Sequence, residues 1–124
     1  SAMTAGTEIL VVEDDDFVRS YMAELLRSAG YGITLAATGQ EAISRLEGGV
    51  TPQLLVTDIC LAGGMGGIAL AETSRTIRPD LKVLYVSGYT GDIDLQGLGD
   101  DTAFLAKPFR RKACLDLVQS LLSE

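Results

Sequence analysis

The chain has 124 residues, 47% of them hydrophobic and 22% charged, which fits one globular domain. Its net charge of −7 comes without a basic stripe, so direct nucleic-acid binding is not expected. The absence of histidine excludes imidazole acid–base catalysis and histidine metal ligation. No apolar stretch approaches the roughly 18 residues of a membrane span, and no signal-peptide pattern opens the chain. We therefore expect a cytoplasmic domain without direct membrane contact.

The first residues and the cysteines lead to two further expectations. Residues 1–3 resemble the remainder of a cleaved expression tag, so the folded domain is expected to span 7–123. Cys60 and Cys114 lack the spacing of a zinc site, and we expect two reduced thiols that are buried or half-buried.

The first half of the chain is predicted to form two strand–helix units. A strand at 8–12 precedes a helix over 16–29, in which six apolar residues form a wide stripe at helical spacing: Phe17, Val18, Tyr21, Met22, Leu25 and Leu26. A second strand is expected at 32–36. Residues 38–41 follow it with the Thr-x-x-Glu pattern of a helix capping box, which predicts that the second helix begins there.

The second half is predicted to contain three more strands, each followed by a helix. The strands are expected at 54–57, 82–86 and 102–106, and the helices at 68–78, 91–99 and 110–122. The helix over 91–99 should be short or mobile, because each of its glycines costs about 1 kcal/mol relative to alanine. Strands that alternate with helices indicate a parallel sheet covered by helices on both faces.

Four of the five predicted strands end in charged or hydroxyl residues. An acidic run, 13–16, follows the first strand, Asp58 the third, Ser87 the fourth and Lys107 the fifth. Each feature alone is compatible with an ordinary turn or helix cap. Open α/β sheets bind ligands at the carboxyl ends of their strands, so the coincidence of all four favours one shared site.

The residue types at this edge suit phosphoryl transfer with a divalent cation. Glu13 and Asp14 supply carboxylates, which magnesium prefers as ligands. Asp58 is the natural nucleophile, because carboxylates form acyl-phosphate intermediates. Ser87 can donate a hydrogen bond to one phosphoryl oxygen, and Lys107 can neutralise another.

Four motifs of the chain together resemble the receiver domain of two-component signalling, the fold of the bacterial chemotaxis response regulator. They are Val-Val-Glu-Asp-Asp at 11–15, Thr-Asp-Ile-Cys-Leu at 57–61, Val-Ser-Gly-Tyr at 86–89 and Lys-Pro-Phe at 107–109. The resemblance implies an α/β fold, a (βα)5 flavodoxin-like three-layer sandwich whose five-stranded parallel sheet has the order 2-1-3-4-5. The glycine-rich loop at 61–67 is similar to that of receivers attached to hybrid histidine kinases.

The resemblance also implies a metal-dependent phosphoacceptor. Asp58 would accept the phosphoryl group. Asp14 and Asp58 would bind Mg²⁺ directly, with Mn²⁺ as an alternative. Glu13 would bind the metal through water, and the backbone carbonyl of Cys60 would complete the protein ligands.

Three further residues would transmit the change that phosphorylation causes. By resemblance, Ser87 is the hydroxyl switch, Phe104 the aromatic switch and Lys107 the conformational lysine, with a cis bond to Pro108. These residues would bias the face formed by the predicted helix over 91–99, the fifth strand and the last helix.

The implied protein is a signalling domain rather than an enzyme, although it catalyses its own phosphotransfer and autodephosphorylation. Its expected partners are a histidine kinase or the phosphohistidine domain of one, and a downstream phosphotransfer or output protein. It is expected to be a monomer or a weak phosphorylation-dependent dimer, either free in the cytoplasm or as the cytoplasmic part of a membrane-bound kinase.

The chain departs from the family pattern in one loop, and two other functions compete. Ala62 stands where the family usually has proline, Gly66 stands near its usual Asp or Asn, and the loop is one residue longer. A pseudo-receiver would keep the fold as an interaction module without phosphorylation. A phosphatase of the haloacid-dehalogenase type would use Asp14 as nucleophile and Asp16 as acid–base group, and would leave Asp58 without a role.

Overall fold

A computed structural model describes residues 6–88 and 101–123. Within these ranges the elements are, in chain order, β1 (Glu8–Val12), α1 (Asp16–Ser28), β2 (Gly32–Ala36), α2 (Gly39–Glu47), β3 (Leu54–Asp58), α3 (Gly67–Ile77), β4 (Lys82–Ser87), β5 (Thr102–Ala106) and α4 (Arg111–Leu122). The predicted helix over 91–99 and the tag-like residues 1–3 lie outside the described residues. The last predicted helix corresponds to α4.

The five strands form one parallel sheet in the order β2-β1-β3-β4-β5, which confirms the predicted topology. The three central strands are almost wholly buried, because helices cover both of their faces. Successive residues of β1 illustrate this. Val11 packs into a core with α1 and α4, whereas Leu10 packs into a second core with α2 and α3.

Local hydrogen bonds fix where two of the helices begin. The Asp15 carboxylate accepts the N–H of Val18 and caps α1. The Thr38 hydroxyl accepts the N–H of Glu41 at 3.1 Å, as the capping-box pattern predicts. The Glu41 carboxylate, however, accepts the N–H of Ala37 rather than that of Thr38, so the reciprocal bond lies one residue earlier.

The start of α3 is held directly against the end of β3. The Gly67 N–H donates to the Ile59 carbonyl at 2.8 Å. A Cβ at Gly67 would collide with the backbone carbonyl of Asp58, so only glycine allows this close approach. The contact fixes the loop that follows Asp58 between two rigid elements.

Two expectations about burial are wrong in part. In α1, Phe17 is 90% exposed and Tyr21 48% exposed, whereas the rest of the apolar stripe packs against the sheet. A helix on a sheet buries only the side that faces it, and these two residues lie one turn apart on the flank. Cys114 is fully buried, but Cys60 is exposed. No helix within the described ranges is long and apolar enough to span a membrane.

Candidate functional site

The strand register brings the predicted site residues to one edge of the sheet. Val12 of β1 pairs with Thr57, which directly precedes Asp58 at the end of β3. Ser87, at the end of β4, pairs with Ala106, which directly precedes Lys107. Because all strands are parallel, Glu13, Asp58, Ser87 and Lys107 leave the sheet at the same edge.

Lys107 joins two of these strand ends. Its Nζ donates to Glu13 Oε1 and to Asp58 Oδ2, each at 2.7 Å. Burial acts to lower the pKa of Lys107, but the hydrogen bonds and charges of Asp58 and Glu13 outweigh burial and raise it. Lys107 is therefore a cation at neutral pH. Its peptide bond to Pro108 is cis, as the resemblance implies.

Glu13 is 2% exposed, and both of its carboxylate oxygens are engaged. Oε1 accepts from Lys107, and Oε2 accepts the N–H of Asp15 at 3.0 Å. The Glu13 carbonyl accepts from the guanidinium of Arg19 at 2.9 Å, which ties the acidic turn to α1. Burial raises the pKa of Glu13 despite the opposing bonds from Lys107 and Asp15.

Asp14, the next residue, is exposed and lies beside the loop that follows β3. Its Oδ2 accepts the N–H of Ala62 at 3.1 Å. Burial acts to raise the pKa of Asp14, but a hydrogen bond with the Glu13 side chain and the Ala62 N–H outweigh it, so the pKa lies below its usual value. Asp14 is therefore ionised at neutral pH.

Asp58 is 9% exposed and accepts two hydrogen bonds. Oδ2 accepts from Lys107, and Oδ1 accepts the N–H of Cys60 at 2.9 Å. Glu13, Asp14 and Asp58 each offer one carboxylate oxygen, and these three oxygens lie within 4.8 Å of one another. Clustered carboxylate oxygens are the ligands that hard divalent cations prefer, so these residues fit Mg²⁺.

The two predicted switch residues lie on neighbouring parts of the sheet. Ser87 is buried at the end of β4. Phe104, in the middle of β5, pairs with Tyr85 of β4 and packs half-buried against the core on the side of α2 and α3. Ser87 lies at the edge of the sheet that carries the site, and the switching role of both residues stays a prediction.

Three contacts at the site were not predicted from the sequence: those of Arg19 with Glu13, Ala62 with Asp14, and Gln40 with the Gly63 carbonyl. Each involves a backbone N–H or carbonyl, and such groups carry no residue-type signal. Only the i,i+3 spacing of Asp16 and Arg19 could have drawn attention to Arg19.

Comparison with known proteins identifies the family of this chain. The family model of the response regulator receiver domain matches residues 9–119. The chain is 34% identical over 118 residues to the response regulator receiver protein CpdR of Brucella abortus, and the match covers 92% of this chain and 95% of CpdR. It is also 34% identical over 125 residues to the sensor kinase CckA of the same organism, with 98% of this chain covered but only 13% of the kinase.

A solved structure gives the same result. The receiver domain from the hybrid histidine kinase CckA superimposes with a TM-score of 0.78 at 35% identity, covering 93% of this chain and 98% of that domain. The similarity to receivers of hybrid kinases is thereby confirmed. With a matching family model, a matching fold and clear relatives, the chain belongs to the response regulator receiver domain family of two-component signalling.

Proposed function

We propose that Asp58 accepts a phosphoryl group from the phosphohistidine of a histidine kinase. The observation that carries the proposal is the pairing of Asp58 with Lys107 inside a cluster of three carboxylates. Asp58 is thus a buried nucleophile with a fixed cation on one side and a cation-binding group on the other.

In the proposed step, a carboxylate oxygen of Asp58 attacks the phosphorus atom, and the phosphorus–nitrogen bond of the phosphohistidine breaks. The electron pair of that bond stays on the imidazole nitrogen, and an aspartyl phosphate forms. Bound Mg²⁺, or Mn²⁺, would neutralise the phosphoryl oxygens. Glu13, Asp14, Asp58 and the Cys60 carbonyl would hold the ion.

Lys107 and Ser87 would act on the transferred group. Lys107 already neutralises Asp58 before transfer, and it can pair with a phosphoryl oxygen afterwards. The Ser87 hydroxyl can donate to a second oxygen, and Phe104 would follow it inward. These shifts would bias the face formed by β5 and α4 toward an active arrangement.

An exposed aromatic surface beside Lys107 is consistent with a protein partner that carries the phosphohistidine. The Tyr21 and Phe109 rings lie 5.9 Å apart, and Phe17 projects into solvent one turn before Tyr21. Tyr21, Phe109 and Lys107 line part of a concave pocket of about 430 Å³. Exposed aromatic groups anchor protein interfaces, and this surface adjoins the residue to be phosphorylated.

We infer the remaining features from the family. The domain spans 7–123, exchanges its phosphoryl group in the cytoplasm with a histidine kinase or its phosphohistidine domain, and passes a signal to a downstream phosphotransfer or output protein. It acts as a signalling domain rather than a turnover enzyme, in a monomer or a weak phosphorylation-dependent dimer, free or as part of a hybrid kinase.

The alternatives have less support. A phosphatase would need Asp16 as its acid–base group, but Asp16 forms an exposed ion pair with Arg19. A pseudo-receiver usually lacks part of the site, whereas this chain has every group that phosphotransfer requires.

The direct test is intact-mass measurement after incubation with acetyl phosphate and Mg²⁺. We expect one phosphoryl addition to the wild type that requires Mg²⁺ and is absent in Asp58→Asn. Asp80→Asn, which changes an exposed acid at a distant turn, should be phosphorylated normally. No addition to the wild type would favour the pseudo-receiver, and normal addition to Asp58→Asn would refute the assignment of the phosphoacceptor.

A second arm of the test concerns the partner. Phe17→Ala should slow transfer from a phosphorylated histidine kinase about tenfold or more, since interface anchors contribute at least 1–2 kcal/mol. The same variant should react normally with acetyl phosphate, because Phe17 forms none of the hydrogen bonds of the site. If the variant reacted as fast as the wild type with the kinase as well as with acetyl phosphate, this surface would be removed from the proposal.

A further inference from the structure

The loop that follows β3 contacts the acidic turn through its backbone. Ala62, in the glycine-rich part of this loop, donates its N–H to Asp14 Oδ2 at 3.1 Å. Among the described contacts, this bond is the one that joins the loop to the acidic residues after β1. A carboxylate with one oxygen fixed by a donor has a fixed orientation, so its second oxygen has a defined direction as well.

The same loop is anchored on its other side by the first turn of α2. Gln40 Nε2 donates to the Gly63 carbonyl at 3.1 Å, one residue after Ala62. Gly39 receives the side chain of Met65 so closely that a Cβ there would lie 2.9 Å from the Met65 sulfur. The loop is thus attached to α2 at both Gly63 and Met65.

These anchors matter because the loop has little stiffness of its own. Gly63 and Gly64 have φ values of +91° and +97°, in the region that glycine enters without strain. A segment with several glycines samples many conformations when nothing holds it. Without the Gln40 bond, the Ala62 N–H would spend less time within reach of Asp14.

We propose that Gln40 is a positioning residue for the metal site, acting through Gly63 and the Ala62 N–H on the Asp14 carboxylate. The inference rests on the proposed function, in which Asp14 binds Mg²⁺ directly. Gln40 does not touch the three clustered carboxylates. It determines how often the Asp14 carboxylate is already oriented when the cation arrives. Gln40 therefore affects the affinity for Mg²⁺, but not the rate of phosphoryl transfer once Mg²⁺ is saturating.

The first test is calorimetric titration of the protein with Mg²⁺. Gln40→Met keeps the length of the side chain but removes the donor, and it should weaken Mg²⁺ binding roughly three- to tenfold, the equivalent of one hydrogen bond. Phosphorylation by acetyl phosphate at saturating Mg²⁺ should proceed at the wild-type rate. Gln119→Met, an exposed glutamine of α4, is the matched control and should bind Mg²⁺ normally.

A double-mutant cycle tests the route. Ala62→Pro removes the N–H that Asp14 accepts, and Ala62 does not have a positive φ, which proline could not adopt. If Gln40 acts through this N–H, Gln40→Met should have no further effect on Mg²⁺ affinity in the Ala62→Pro background. Independent, multiplying effects would overturn the route.

A structural readout without metal completes the test. The amide proton of Ala62 should move upfield in the NMR spectra of both Gln40→Met and Asp14→Asn, since each weakens the same hydrogen bond. Equal Mg²⁺ affinities and an unmoved Ala62 amide in Gln40→Met would overturn the inference and leave the proposed function intact. A wild type that binds no Mg²⁺ at all would overturn both.

Discussion

Glu13 and Asp14 are neighbours in sequence and carry the same charge, yet the structure treats them in opposite ways. Glu13 is buried, and both of its oxygens are engaged, by Lys107 and by the Asp15 N–H. Asp14 is exposed, and its described backbone contact is with the glycine-rich loop. Burial raises the pKa of Glu13, whereas hydrogen bonds keep the pKa of Asp14 below its usual value.

The contrast follows from the partners that each carboxylate meets just beyond the end of β1. The Glu13 carboxylate is bonded to Lys107, whereas Asp14 accepts a hydrogen bond from the loop that follows β3. Glu13 thus joins the ends of β1 and β5 through Lys107, and Asp14 is the more accessible of these two proposed metal ligands. The two acids should differ in what their removal does to stability and to Mg²⁺ binding.

The largest effect on stability is expected from removing the charge of Lys107, which contacts the buried Glu13. Lys107→Met leaves Glu13 and Asp58 buried without a counter-charge, and the free energy of unfolding at pH 7 should fall by about 3 kcal/mol. Urea denaturation without Mg²⁺ measures this loss of stability. The deficit should shrink below about pH 5, because burial raises the pKa of Glu13 and the folded variant then takes up a proton on Glu13 more readily than the unfolded chain does.

Lys112→Met is the matched control for this experiment. Lys112 forms an exposed ion pair with Asp116 at 2.7 Å, and such pairs contribute little to stability. A comparable loss in both variants would mean that the position of Lys107 between two buried carboxylates has no special importance.

The next largest effect is expected on Mg²⁺ binding, from a change at the exposed Asp14. Asp14→Asn removes a proposed metal ligand, and Mg²⁺ affinity should fall about a hundredfold, the upper end of what even outer-shell changes cause. Asp15→Asn changes the same charge one residue away and keeps a side chain that caps helices well. Calorimetry should find less than about a threefold loss for that variant. Equal losses would show that only the summed charge of the turn matters.

Most of the fold was predictable because its signals are local. The five strands ended within one residue of the predicted boundaries, since short apolar runs between helical patterns leave little freedom in a parallel sheet. Phe17 and Tyr21 were not predictable, because helical spacing defines a stripe but not how much of it the sheet covers. That depends on how α1 packs, which involves residues far away in sequence.

The site, like the fold, has a part that the sequence predicts and a part that depends on tertiary packing. Strand-end positions predicted that Glu13, Asp58 and Lys107 converge, since parallel strands share one carboxyl edge. Neither the different surroundings of Glu13 and Asp14 nor the contacts of the loop could be read from residue types. The donors there are the Ala62 N–H and a glutamine that touches a carbonyl, and their placement depends on the folded path of a glycine-rich segment.

The smallest effect is a difference in the sign of two pH dependences, measured without metal. Because the pKa of Glu13 is raised in the folded state, wild-type stability from this group is present below pH 4.5 and is lost as pH rises through the folded pKa. Glu13→Gln removes that loss. The free energy of unfolding of the variant should therefore increase relative to that of the wild type as pH rises from 4 to 8. We expect this gain to be smaller than the loss in Lys107→Met, because Lys107 offsets part of the burial cost.

Asp14→Asn should show the opposite trend. The pKa of Asp14 is lowered on folding, so its contribution is present above about pH 3.8 and is lost as pH falls through the folded pKa. The free energy of unfolding of the variant should therefore decrease relative to that of the wild type as pH rises from 3 to 5. Denaturation curves of both variants in the presence of EDTA measure the two slopes. Parallel slopes would mean that the two neighbours share one environment, and that burial and hydrogen bonding do not separate an anchoring acid from a cation-binding one.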